Sequence, residues 1–402
     1  MKTNYKTTVY ACFIGYVVQA IVNMFIPLLF VTFQKEYSIP LSEITVLVTI
    51  NFAIQLIVDM LSAVLIDKLG YRCSIIMAHV CVVIGFILLV ILPEICTNPF
   101  MGIMIAVVIY AIGGGLLEVL VSPIIEACPT KNKESMMSLL HSFYSWGGVA
   151  VILLSTIFFG IFGTDNWKIL AILWAIIPAI NTYLFCKVPI YPLHEEEKGL
   201  TINELFKEKI FWVFMIMMFC SGACEQSVIQ WVSTFVEQGL SISKTLGDLV
   251  GTMTFFVLMG TSRLIFGKYG DRIELDKFMI ISVIMCVASY LCISIIPHPI
   301  ISLLGCGICG FSVGILWPGT FSKASSAIKR GKTVLFAMLA LAGDLGCSIG
   351  PTIVGFVSST FNNNLRKGIF VATIFPVMLL ILLIFTKIKK EQATICINGN
   401  NN

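Results

Sequence analysis

Five charged side chains stand inside long apolar runs of the sequence: Asp59, Glu118, Glu225, Arg263 and Asp344. The neutral-capable His141 joins them. A charge is costly in apolar surroundings, so each is a functional candidate by default. The carboxyls have the chemistry to load and release a proton. Glu118 leads, because it follows Gly113-Gly114-Gly115, where a neighbouring backbone or water can approach closely. Asp59 and Asp344 are the reserve candidates for that role. A Glu118 that stays protonated or paired and only bonds a ligand hydroxyl is the competing reading.

Amides and rings accompany the acids. Tyr16, Gln19, Asn23 and Pro27 share one face at helical spacing. Asn51, Gln55, Asp59 and Ser62 form a second stripe, and Gln226, Gln230, Ser233 and Glu237 a third, flanked by Glu225 and Trp231. Amides beside aromatics suit a polyhydroxylated ligand, and Trp231 and Trp317 offer apolar faces to a sugar ring. Buried aromatics more often simply pack, and Ser62, Ser138 and Ser233 read as interhelical hydrogen-bond glue worth roughly 0.6–2 kcal/mol each. The candidate binding set is Gln19, Asn23, Glu118, His141, Glu225, Gln226, Gln230, Trp231 and Trp317. No nucleophile–base pair or metal cluster emerges, and the polar loops are too short to build an active site. No catalytic group, metal or cofactor is expected, and the chain does not read as an enzyme.

The elements that must carry these groups follow from composition. Of 402 residues, 58% are apolar and 12% charged, with a net charge of +4. A soluble chain carries about 25% charged residues, so this one cannot cover soluble domains, and no basic stripe suggests nucleic acid. Apolar runs lie at about 8–33, 42–66, 73–93, 99–126, 135–162 and 167–186, then at 211–236, 245–269, 278–296, 299–322, 333–360 and 368–386. A bilayer core needs about 20 residues per helix, and lipid forces such runs into helices. The expectation is an all-α polytopic membrane protein of twelve transmembrane helices, with the lipid bilayer as its surroundings.

Basic residues orient it. With both termini inside, the inner segments hold twenty Lys and Arg and the outer loops five, leaving Arg263 within a span. The expected domains are a six-helix bundle at 1–187, a cytoplasmic linker at 188–209, a second bundle at 210–390 and a disordered cytoplasmic tail at 391–402. The linker holds Glu195, Glu196, Glu197 and Lys198, then Thr201-Ile202-Asn203-Glu204, a capping box that should start a short helix. Trp167, near an outer boundary, reads as an interfacial anchor. Cys306-Gly307-Ile308-Cys309 has redox or zinc-like spacing but lies in a Gly-rich apolar helix, and reads as close packing.

The halves repeat at an offset of 204. Asp67-Lys68-Leu69-Gly70-Tyr71-Arg72 ends the second span, and Asp271-Arg272 falls at the matching place after the eighth; Ala63 and Gly267 each precede the Asp by four residues. Duplicated six-helix halves characterise one large class of secondary transporters. The chain resembles the major facilitator superfamily across essentially its whole length. That resemblance implies two six-helix pseudo-repeats and a gating role for the loop Asp; the candidate gating residues are Asp67, Arg72, Arg263, Asp271 and Arg272. Arg263 and Asp59 sit at equivalent depths of the two repeats. A gate pair between them, or separate pairing of Arg263 with Glu118 or a neighbouring carbonyl, all remain open.

Within the family, Gly113-Gly114-Gly115-Leu116-Leu117-Glu118 with Ser122-Pro123, His141-Ser142-Phe143-Tyr144, and Ala342-Gly343-Asp344-Leu345-Gly346 with Gly350-Pro351 resemble the fucose-permease-like sugar transporter branch. An acid common in that branch's first span is Asn23 here. The resemblance implies a monomeric cell-membrane symporter taking up a small polar solute, such as a sugar, with protons. A proton-coupled exporter of amphipathic compounds or drugs and an uncoupled facilitator are the alternatives. Against export, the fifth span has Gly147-Gly148 running into Val149, without the Gly-Pro motif that drug antiporters of the family tend to carry. A non-transporting receptor would often carry an added soluble domain, which this compact sequence lacks.

Overall fold

The computed structural model describes residues 5–39, 41–191, 199–240, 251–362 and 364–399. Residues Glu195–Lys198 of the linker, and the side chains of Asp67, Trp231, Ser233 and Glu237, lie outside what is described. All regular secondary structure among the described residues is helical, with no strand. Sixteen helices follow in order: α1 (Tyr5–Leu28), α2 (Phe30–Tyr37), α3 (Leu41–Leu69), α4 (Tyr71–Ile95), α5 (Pro99–Ala127), α6 (Lys133–Phe162), α7 (Trp167–Lys187), α8 (Ile202–Leu205), α9 (Lys209–Leu240), α10 (Met253–Tyr269), α11 (Leu275–Ile295), α12 (Pro299–Val313), α13 (Leu316–Ala327), α14 (Lys332–Thr360), α15 (Leu365–Ala372) and α16 (Ile374–Gly399). The pairs α1/α2, α12/α13 and α15/α16 are each one interrupted span, and α8 belongs to the linker, which leaves twelve spans. Ten helical stretches of the described residues are long and apolar enough to cross a bilayer; α3 shows a shorter apolar stretch, Thr49–Ser62, and α10 has 17 residues.

Local chemistry sets the ends. Asn98 accepts from the Phe100 amide at 3.0 Å, with Pro99 at the first turn, and Asn132 accepts from Ser135 at 2.9 Å. Both satisfy amides that a helix start leaves orphaned. The linker capping box forms as the sequence predicts: Thr201 N donates to Glu204 Oε2 at 2.8 Å, and Glu204 N to Thr201 Oγ1 at 3.3 Å. The last helix runs on to Gly399, past the position where a disordered tail was expected. Lys, Glu, Gln and Ala in that stretch are good helix formers.

The chain forms two compact units, Met1–Leu205 with Ile328–Leu341, and Phe206–Ala327 with Ala342–Asn402. Ile328–Leu341, expected in the second bundle, groups with the first. There Leu200 N donates to Arg330 O at 2.8 Å, and the Tyr71 and Thr333 hydroxyls are hydrogen-bonded.

Within the first unit α5 packs on α4, α3 and α1, and α7 packs on α4 and α1. Within the second, α12 packs on α11, α10 and α9, and α16 packs on α11 and α9. These five pairings correspond one for one, so the repeat legible in the loops extends to the packing. In the first unit α4 and α7 turn Ile84, Ile91, Ile172 and Ile180 outward; in the second, α11 and α16 expose Ile284 and Ile381. Apolar side chains facing outward are what a lipid surrounding requires.

Candidate functional site

Three consecutive glycines on α5 build the site in the first unit. A Cβ at Gly113 would lie 2.5 Å from the Ala78 carbonyl of α4. One at Gly114 would lie 2.9 Å from Val22 of α1, and one at Gly115 2.9 Å from Val58 of α3. Successive residues point about 100° apart around a helix at 3.6 per turn, so each glycine admits a different neighbour. One turn later α5 carries Glu118 into the space where α1 and α3 converge.

The polar stripes meet there. Gln19 Nε2 donates to Glu118 Oε2 at 3.1 Å and to Gln55 Oε1 at 3.3 Å. Asn23 Oδ1 accepts from Gln55 at 3.0 Å and from Asn51 at 3.3 Å, while Asn23 Nδ2 donates to the Tyr144 hydroxyl at 3.4 Å. Tyr16 extends the network, with its hydroxyl 2.9 Å from Ser122 Oγ and 3.2 Å from His141 Nε2. Asp59 lies fully buried one turn beyond Gln55. Within this network Gln19 Oε1 and Asn51 Oδ1 are buried acceptors with no partner, as are several buried hydroxyls elsewhere among the described residues. A buried acceptor without a donor costs free energy.

The second unit holds a different arrangement. Arg263 of α10, buried, places Nη2 3.4 Å from Glu225 Oε2 of α9 and donates from Nε to Gly314 O at 2.8 Å. A neighbouring carbonyl, that of Gly314, and the Glu225 carboxylate are thus among the partners of Arg263. Trp317 and Asp344 are buried. The Trp317 ring lies flush on Gly343 of α14, where any Cβ would collide with it, and meets Phe321 edge-on at 6.4 Å. Gln226 is half-buried and Gln230 exposed. Cys306 and Cys309 are both buried, and Gly310 is pressed against the Phe255 carbonyl. Close packing is therefore what the Cys306–Cys309 stretch does, and among the described residues no cluster of His, Cys, Asp and Glu suits a metal.

The loop residues divide. Arg72 donates to Phe185 O at 2.7 Å and Val188 O at 2.9 Å, closing the carbonyl end of α7. Asp271 and Arg272 are exposed beyond α10. The expectation for Trp167 is corrected: it is fully buried rather than interfacial. Its Nε1 donates to Glu36 at 2.6 Å and its ring meets Phe33 edge-on at 5.3 Å. Lys168 then bridges Glu36 at 3.0 Å and Glu94 at 2.6 Å. An indole beside a helix start looks alike in sequence whether it faces lipid or a neighbouring acid. The sequence left open a carbonyl partner for Arg263 without naming it, although Pro318, four residues after Gly314, was the available signal.

A family model described as the Major Facilitator Superfamily matches residues 12–351. The chain belongs to the major facilitator superfamily. It is thus a multi-pass membrane protein of a transporter family, built on that family's twelve-helix fold. Comparison with curated protein sequences gives no match. Among solved structures, the E. coli fucose:proton symporter FucP superposes with a TM-score of 0.80 at 14% identity, covering 94% of this chain and 98% of that one. The proton:xylose symporter XylE, bound to 6-bromo-6-deoxy-D-glucose, gives 0.78 at 15% identity, with 94% of each chain covered. The human organic anion transporter MFSD10 (TETRAN) gives 0.76 at 15% identity, covering 95% of this chain and 100% of that one. At such identities the likeness concerns the fold.

Proposed function

We propose that this protein is a secondary active transporter working by alternating access, which carries a small polar solute such as a sugar into the cell together with a proton. One observation carries the reading: the buried acceptors Gln19 Oε1 and Asn51 Oδ1 lack partners within a network that also holds the Glu118 carboxylate. A ligand rich in hydroxyl donors satisfies those acceptors, and a carboxyl in the same network accepts hydroxyl protons or exchanges its own. The symporters of fucose and xylose among the structural neighbours support a sugar and a proton as the pair.

In this reading Gln19, Asn23, Glu118, His141, Glu225, Gln226, Gln230, Trp231 and Trp317 are the candidate solute-binding residues. Glu118 is the coupling group, with Asp59 and Asp344 in reserve. Asp67, Arg72, Arg263, Asp271 and Arg272 bias the access states. The protein works as a monomer in the cell membrane with both termini cytoplasmic.

Proteoliposomes carrying an inward proton gradient and offered L-fucose, D-xylose, D-glucose, nucleosides and amino acids test the proposal. At least one sugar should accumulate above its external concentration, and a protonophore should collapse the accumulation. Uptake that stops at equilibrium with or without the gradient would make the protein a facilitator and end the coupled reading.

A further inference from the structure

The tenth span breaks at Gly314-Ile315, between α12 and α13, and the sequence supplies the cause. Pro318 has no amide hydrogen, so it cannot serve the carbonyl four residues earlier, which is that of Gly314. Hydrogen bonding within the helix resumes only at the next carbonyl, where Gly319 N donates to Ile315 O at 2.8 Å. A carbonyl left unpaired at membrane depth is costly. Arg263 fills the gap, donating from Nε to Gly314 O at 2.8 Å. Gly314 makes the reach possible, because a Cβ there would lie 2.8 Å from the Met259 carbonyl and 2.9 Å from Ser262 Cβ on α10. Three residues past the break stands Trp317, flat against Gly343 and next to Asp344 on α14.

We propose that Arg263 is a positioning residue of the transport site: its guanidinium replaces the amide missing at Pro318, holds the break in the tenth span, and thereby fixes Trp317 as a wall for the solute. This rests on the solute-binding role proposed above for Trp317. It gives Arg263 a task different from gating. It also assigns Glu225 a second one, which is to hold the far end of the guanidinium while Nε faces Gly314. Lysine has no fixed fork to span a carboxylate on one helix and a carbonyl on another, whereas arginine does.

The test uses the full chain in lipid nanodiscs, read by hydrogen–deuterium exchange over residues 311–321, and compares Arg263→Met, Pro318→Ala, the double variant and Glu225→Gln. Arg263→Met should speed exchange there about tenfold, as expected for a local opening of the break. Adding Pro318→Ala should restore slow exchange, because alanine supplies its own amide to Gly314 O. Glu225→Gln should leave exchange near its starting rate, since the carbonyl keeps its donor. Unchanged exchange in Arg263→Met, or no rescue in the double variant, overturns the proposal. If Arg263→Met does not fold, a double variant that folds with slow exchange supports it, and one that does not fold overturns it.

L-fucose uptake adds a functional readout: Arg263→Met should raise KM more than it lowers kcat, and Pro318→Ala should reverse the change. An Arg263→Met protein with unaltered KM would detach the clamp from the solute site. If the unsubstituted protein carries no L-fucose, the sugar reading is what fails, and the exchange measurements still decide the clamp.

Discussion

The side-chain amide of Gln19 donates to the Glu118 carboxylate at 3.1 Å, joining α1 to α5 within the first unit. The same nitrogen donates to Gln55 Oε1 at 3.3 Å, so the acid is tied to a network reaching α3. A carboxylate held this way accepts hydrogen bonds when ionised and offers one when protonated. A change of the proton on Glu118 therefore changes what this carboxyl offers to a network that spans three helices.

Glu118→Gln should abolish sugar accumulation driven by a pH gradient and leave sugar exchange at zero gradient measurable. Glutamine keeps the size and the hydrogen bonding but has no proton to cycle. Proteoliposome uptake with and without the gradient separates the two. Accumulation at the normal rate in this variant would remove Glu118 as the coupling group.

Gly113 and Gly160 should respond oppositely to alanine. At Gly113 the new Cβ meets the Ala78 carbonyl at 2.5 Å, while at Gly160 nothing lies within 4 Å. Overpacking of this kind costs about 1–3 kcal/mol, whereas alanine in an open helical site is worth up to about 1 kcal/mol of helix propensity. Thermal unfolding in detergent should show a lower midpoint for Gly113→Ala and an unchanged or higher one for Gly160→Ala. Equal behaviour would contradict the described contact of α5 with α4.

Trp167→Phe keeps an aromatic ring against Phe33 but removes the donor to Glu36. A hydrogen bond to a charged group is worth about 1.5–3 kcal/mol, and the half-exposed Glu36 retains Lys168, so a loss of about 1 kcal/mol is expected. Trp167→Ala should cost about 3–5 kcal/mol through the lost core packing. If alanine is as well tolerated as phenylalanine in thermal unfolding, Trp167 faces lipid after all.

Orientation is open to direct measurement. Single cysteines placed across 188–209 of a cysteine-free variant should resist an impermeant thiol reagent in intact cells and react after permeabilisation. A cysteine at Asp165, on the opposite side in the same scheme, should react at once. The reverse pattern would invert the assignment of both termini.

Sequence alone settled what is local in this protein. Apolar run length and the absence of water in a bilayer leave helices as the answer, so the spans and their order could be read directly. The duplicated Asp loops foretold a repeat that the helix neighbours then reproduce. The polar faces of α1 and α3 were legible too, because a period of 3.6 places Gln19 with Asn23, and Asn51 with Gln55, before any partner is known. Which groups meet across helices was decided only in three dimensions. For Arg263 a neighbouring carbonyl was one candidate among several, and only the close approach of α10 at Gly314 shows which carbonyl it meets, with Glu225 beside it. That Trp167 is buried beside Glu36 and Phe33 was likewise visible only in three dimensions. Periodicity tells which residues share a face, but small residues at helix crossings determine what that face touches.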